Sequence, residues 1–404
     1  MLSKKSFFKN FHFKSKKINK NLNKTKQVFD NFKYDLENYE IPLLQSYKKN
    51  YNFDFSSMTV KKFSKYKNIV IIGMGGSILG TKCLYSFFRD KVKKQVFFFD
   101  NLDRYLHSEF KKIKNLNNSC FIIVSKSGNT IETIANLNFL YSKFSLKNKL
   151  IFITETKDSY LNNMANKFNS EIIEHKDFIG GRYSVLSEVG MFPAALMGIN
   201  INKLRNLEKL VKNKNFVSSL IRNVASIYTL NMQGVKSSVI LNYDSKLNDL
   251  GFWYQQLVGE SLAKGGKGIT TILSPAPKDH HSLLQLYLDG PKDKFFTFFT
   301  SSDSKNKQLK IFKKQISNNM SYLNSKSLQS IIAAQCKATK NIFKIKKIPF
   351  RQFHFNKNDE EELGTVFTFL VLETILLARL MNVNPFNQPA VEQVKSETKK
   401  ILLR

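Results

Sequence analysis

Between residues 68 and 175 short apolar runs alternate with helix-period stretches, and this alternation restricts the possible folds more than any other feature of the chain. NIVIIG leads into a helical pattern through ILGTKCLYSFF, and CFIIVS into another through TIETIANLNFLYSKF; QVFFFD, KLIFIT and EIIEH supply the remaining runs. A strand that is apolar at nearly every position has no polar face to offer water, so it must be covered on both sides. Helices that connect parallel strands provide that cover. The expected class is α/β, with a parallel sheet in an α/β/α sandwich.

The same pattern returns after a helical section near 203 to 232. SSVILNY, a helix through LNDLGFWYQQLVGESL, then TTILSP, SLLQLYLDG and FFTFFTS form a second α/β unit, with no close sequence repeat of the first. From about residue 359 the pattern changes to an acidic helix start, a long apolar helix, the break NVNPFNQP and a last amphipathic helix opening at Pro389, a favourable first-turn residue. The expected division is a helical N-terminal segment over 1–60, a first α/β unit over 61–200, a second over 201–358 and C-terminal helices over 359–404. A chain of 404 residues can build two or three cores of ordinary size.

A formal charge of +33 first suggests nucleic acid or an anionic membrane as partner. The excess is nearly all Lys, dispersed among Asn, Phe and Ile along the whole length, with no compact base-reading motif. That dispersal favours a solvated Lys surface and no nucleic-acid partner; basic residues gathered on one face would argue the opposite. Cys83, Cys120 and Cys336 are too few and too scattered for a disulfide framework or a zinc site, so no metal and a reducing cytoplasm are expected. The N-terminal MLSKKSFFKNFHFKSKK lacks the apolar run of a secretory signal and the Arg of a mitochondrial presequence. LGTVFTFLVLETILLARLM is the most apolar stretch, but it holds Glu373 and Arg379. It reads as a buried helix, and no membrane role is expected.

Two strand-to-helix turns stand out. IVIIGMGGSILG and CFIIVSKSGNTIET both leave a buried strand and open a helix, which in a parallel sheet puts them on the carboxyl edge where ligands bind. Free N–H groups and the helix dipole make such turns favourable for phosphate. Ser77, Ser125, Ser127 and Thr130 add neutral donors, and Gly75, Gly76 and Gly128 let the backbone approach closely. The competing reading is that Ser77 and Thr130 are ordinary helix caps. No P-loop is present, and a dinucleotide fingerprint beginning at Gly73 and Gly75 fails at Ile78, where its third glycine belongs.

With GGRYSVLSEVG, QLVGESLAKGGKG, DHHSLLQLYLDGP and NQPAVEQVK following in that order, residues 68 to 400 resemble the sugar isomerase (SIS) domain family. Within it they resemble the phosphoglucose isomerase branch of the compact bacterial type. The resemblance implies two SIS domains with a helical tail, a homodimer with shared active sites, and a sugar-phosphate substrate. It also implies glucose 6-phosphate and fructose 6-phosphate interconversion through a cis-enediol, without metal or organic cofactor. By motif it assigns phosphate binding to Ser77, Ser125, Lys126, Ser127 and Thr130, with Gly76 and Gly181 beside them. Glu260 becomes the proton carrier between C2 and C1, Arg182 the guanidinium beside the enediolate, and Gln256 and Gln388 substrate contacts. His281, supplied by the partner subunit, and Lys395 serve ring opening. Ala390 departs from the Gly of many relatives, and the amino-terminal region is short and unfamiliar. A phosphomannose-tolerant isomerase and a non-catalytic SIS-domain regulator remain as alternatives; the second would lack the base.

The residues themselves add constraints. On a helical wheel Leu247, Leu250, Tyr254, Leu257 and Val258 share one face and Glu260 lies off it, free to face a cleft. Lys395 sits on the margin of a stripe of Val391, Val394, Ile401 and Leu402, either snorkelling past a core or directed into a site. His280 and His281 are adjacent, so the two rings should face different surroundings, and they lack the companion ligands a metal would need.

Overall fold

Asn68–Gly73 is buried at every position and forms β1, while β2 is Gln95–Phe99, β3 Ser119–Val124, β4 Leu150–Thr154 and β5 Glu171–Glu174. The computed structural model describes residues 8–10, 16–143, 146, 149–302 and 318–404. The reading of the first residues as lacking a targeting signal falls largely outside them. The five strands are all parallel, in the order β2-β1-β3-β4-β5, with Gly73 level with Val124. The covered sheet expected from the continuous apolar runs is therefore present. Ile69 and Ile71 point into one core and Val70 and Ile72 into another on the opposite face, as the period-two geometry of a strand requires.

The second sheet contains β6 Ser237–Asn242, β7 Thr270–Pro275, β8 Lys294–Ser301 and β9 Phe350–Phe355. Its order is β7-β6-β8-β9, again all parallel. In both sheets the first strand is central, the chain moves out to one side, and the third strand returns to pair on the other.

One face of each sheet joins a common core, where Ile71 and Ile122 cluster with Ile240 and Phe299. The helices Lys16–Glu37 and Glu360–Met381 complete it through Phe29, Phe32, Phe369 and Leu372. Glu360–Met381 is long and apolar enough by composition to cross a membrane, yet it is mostly buried inside the protein. Its charges have partners. Glu373 accepts two hydrogen bonds from Arg351, both side chains being fully buried, and the Tyr254 hydroxyl donates to Glu373 at 2.9 Å. Arg379 pairs with Asp35 of the first long helix at 2.6 Å.

The last helix, Pro389–Leu402, differs from the core-facing element its stripe suggests. None of its residues is buried, and Val394 and Leu402 are 68% and 69% exposed. The amphipathic pattern is real, but among the described residues nothing buries it.

Candidate active site

The site forms where the carboxyl edge of the first sheet meets the helix Asn248–Leu262. After β1 the chain makes the tight turn Gly75–Ser77, and Gly75 has φ of +51°, a conformation that glycine adopts without strain. A Cβ on Gly76 would lie 2.2 Å from the carbonyl carbon of Gly181. This contact presses the first hydroxyl-rich turn against the Gly180–Gly181–Arg182 segment, and the Ser184 hydroxyl pins it by donating to the Gly76 carbonyl at 3.2 Å. The following helix begins at Leu79 with Ile78 in the cap position, so Ser77 is not its cap.

The second turn follows β3, the neighbour of β1. Ser125 and Thr130 share a hydrogen bond of 2.7 Å between their hydroxyls, and Ser127 accepts from the Asn129 N–H at 3.3 Å. Gly128, at φ +68°, packs so closely on Ser159 that a Cβ would lie 2.1 Å from its hydroxyl oxygen. Lys126 is turned toward the Asp177 carbonyl at 2.5 Å and the Glu155 carboxylate at 3.6 Å. The two turns therefore sit side by side on the edge, as their place in the sequence implied.

Glu260 lies in the last turn of its helix, off the face on which Leu250, Leu257 and Val258 are buried. Its side chain is 31% exposed and held from two directions. Arg182 Nη1 donates to Oε2 at 3.0 Å, and Gln256 Nε2 donates to Oε1 at 2.9 Å. The same Gln256 amide would be 2.9 Å from a Cβ on Gly75. A single side chain thus links the acid to the first hydroxyl-rich turn.

Arg182 is 1% exposed. Its Nε donates to the Ser261 hydroxyl at 2.9 Å, and its remaining bonds reach the Gln388 side chain and the carbonyls of Pro385 and Asn387. A guanidinium fixed on so many acceptors loses little further freedom when charge develops beside it. Lys264 donates to the carbonyls of Glu260 and Ser261 at 2.6 and 2.8 Å, holding the last helical turn. Burial and then the nearby Arg182 charge lower its pKa to about 8.

Glu260, Arg182, Gln256, Gln388, Gly76 and Gly181 are therefore brought together with the Gly75–Ser77 turn. His281 and Lys395 are not. His280 turns inward, to the Tyr243 hydroxyl at 2.7 Å, while His281 is exposed, so the adjacent rings do face different surroundings. Lys395 donates to Glu392 at 2.7 Å, two helical turns, about 10 Å, beyond Gln388. Among the described residues no group of acids, histidines or cysteines could hold a metal. Ser261, Lys264 and Tyr183, whose hydroxyl shares a hydrogen bond of 2.8 Å with Ser261 and lies 3.0 Å from the Pro385 carbonyl, escaped the sequence reading. Ser261 directly follows Glu260, which was the available signal; the Pro385 and Asn387 carbonyls left none.

Two parallel sheets of like winding, with hydroxyl-rich turns at the crossover of the first and an Arg–Glu pair beside them, define a protein of the sugar isomerase class. The phosphoglucose isomerase family model matches residues 44–403. A glucose-6-phosphate isomerase of Methanocaldococcus jannaschii is 35% identical over 344 residues, 83% of this chain and 84% of that one. One of Campylobacter jejuni is 31% identical over 351 residues, 83% and 85% of the two chains. A solved hypothetical protein from Thermus thermophilus has a TM-score of 0.75 at 25% identity, covering 91% of this chain and 89% of that one. A solved glucose-6-phosphate isomerase from Chlamydia trachomatis shares the fold, with a TM-score of 0.71 at 18% identity over 86% and 72% of the chains. The chain belongs to the phosphoglucose isomerase family.

Proposed function

We propose that the protein interconverts glucose 6-phosphate and fructose 6-phosphate, with Glu260 carrying the proton between C2 and C1. The observation that carries this assignment is the Glu260 carboxylate, clamped by Arg182 and Gln256 beside the Gly75–Ser77 turn.

In this scheme the hydroxyls of Ser77, Ser125, Ser127 and Thr130, with Lys126, hold the phosphate at one end of the sugar. His281 and Lys395 open the ring by moving a proton from the C1 hydroxyl and delivering one to the ring oxygen. Glu260 then takes the C2 proton, and the electron pair left behind forms the C1–C2 double bond as the carbonyl becomes an enediolate oxygen. Arg182 faces that oxygen with a charge already in place, which lowers the barrier without reorganisation. Proton return to C1 and transfer from the C2 oxygen give the ketose. Gln256 and Gln388 fix the acid and the guanidinium against each other.

His281 and Lys395 stand exposed in one chain, and the last helix carries an exposed apolar stripe. Both observations support a homodimer in which each chain completes its partner's site. We place the activity in the cytoplasm, within glycolysis and gluconeogenesis, and divide the chain at residues 61, 201 and 359 as the sequence reading does.

The assignment is tested by a coupled assay with glucose 6-phosphate and with mannose 6-phosphate, on wild type and Glu260→Gln. Turnover of the first sugar should fall by about 10² to 10⁴ in the variant with binding retained. Turnover of mannose 6-phosphate by wild type would establish a wider epimer tolerance.

A further inference from the structure

The winding shared by the two sheets places a second crevice in the molecule. In an open parallel sheet ligands bind at the carboxyl edge, between the two central strands from which the chain departs in opposite directions. In the first sheet that point lies between β1 and β3 and holds the hydroxyl-rich turns. In the second it lies between β6 and β8, and a cavity of about 750 Å³ opens there, within the size range of small-molecule sites.

The chemistry of this second crevice differs from the first in one decisive way. Where the turn after β1 carries glycines, the turn after β6 carries Asp244. Its carboxylate accepts from the Lys246 N–H at 2.9 Å and from the Ser301 hydroxyl, so the local donors already serve an anion built into the chain. A phosphate dianion placed beside Asp244 would face that charge at close range, while the cations of the wall are engaged, Lys246 with Asp90, Arg89 with the Ser245 hydroxyl at 3.1 Å and Lys340 with Gln352.

The rest of the wall is a network of neutral and mixed partners. Lys340 donates to Gln352 at 3.1 Å, and Gln352 donates to Thr300 at 2.7 Å. His354 bridges Thr300 and Ser302 at 2.8 and 2.9 Å. The helix Leu328–Ile345, which carries Lys340, also contributes Gln329, Ser330, Ile332 and Ala333, so apolar surface lies among the polar groups. Donors and acceptors interleaved with apolar surface match a ligand that carries both hydroxyls and C–H bonds.

We propose that this cavity is a binding site for a neutral polyhydroxylated molecule, an unphosphorylated monosaccharide or polyol. The site is separate from the isomerase centre and stands whether or not Glu260 carries the proton.

The test titrates D-glucose and sorbitol into the full chain while fructose 6-phosphate saturates the isomerase site, with binding read by calorimetry and by saturation-transfer NMR. Ala333→Trp fills the cavity from an exposed helix position, and Asp244→Asn removes the built-in charge; unchanged isomerase turnover of Ala333→Trp verifies its fold. Both variants should weaken binding by about tenfold or more, and inorganic phosphate should fail to compete. Three results would overturn the proposal: undiminished binding in Ala333→Trp, displacement by phosphate, or no wild-type binding at concentrations on the order of tens of millimolar.

Discussion

A methyl group is enough to test the packing at the first hydroxyl-rich turn. On Gly76 it would lie 2.2 Å from the backbone of Gly181, which has no flexible end to move aside. Gly76→Ala should therefore cost more than about 2 kcal/mol in urea unfolding and raise KM, because it pushes the turn off the Arg182 segment. Gly259→Ala, in the helix that carries Glu260, meets nothing within 4 Å and should leave stability equal or about 0.5–1 kcal/mol higher. His175 gives a prediction in pH. Burial holds its pKa at about 4, against 6.5 when free. The unfolded chain then takes up a proton near pH 6.5 that the folded chain refuses until about pH 4. Stability from this group is complete above pH 6.5 and is lost as pH falls through that window. The loss amounts to about 2 kcal/mol by pH 5. His175→Asn should flatten the fall in denaturation midpoint between pH 7 and 5.

At the scale of elements, the buried pair of Arg351 and Glu373 ties β9 to the helix Glu360–Met381, with Tyr254, Asn223 and Thr297 taking the remaining bonds. Removing one partner leaves a buried charge unmatched. Glu373→Leu should destabilise the protein by about 3–5 kcal/mol, whereas the double variant with Arg351→Met should recover most of that in urea unfolding. The sequence made the elements readable, because continuous apolar strands and period-3.6 helices leave a direct trace. Glu260 could be placed off its helix's buried face for the same reason. The strand orders and the meeting of Gly76 with Gly181 could not be read, since contacts between backbones distant in sequence leave no mark on side-chain pattern. The anchoring of Arg182 on the Pro385 and Asn387 carbonyls was hidden likewise. The last helix shows the converse: its apolar stripe was legible, but whether a partner covers it is not encoded in the stripe.

The whole molecule carries a formal net charge of +33, and two copies brought together repel. A dimer held through the apolar stripe of the last helix should therefore tighten as salt rises toward physiological ionic strength, where the screening length is about 8 Å. Light scattering across a salt series measures this. Val394→Lys with Leu402→Lys should yield monomers with reduced turnover, and dimers undisturbed by those changes would remove the stripe from the interface. The account as a whole depends on one carboxylate moving one proton beside the first hydroxyl-rich turn. The direct measurement is isomerisation in D₂O, following deuterium at C1 of fructose 6-phosphate by NMR. Wild type should incorporate solvent deuterium at C1, and Glu260→Gln should bind the sugar phosphate yet incorporate it at least about a hundredfold more slowly. Incorporation by Glu260→Gln at the wild-type rate would contradict the account.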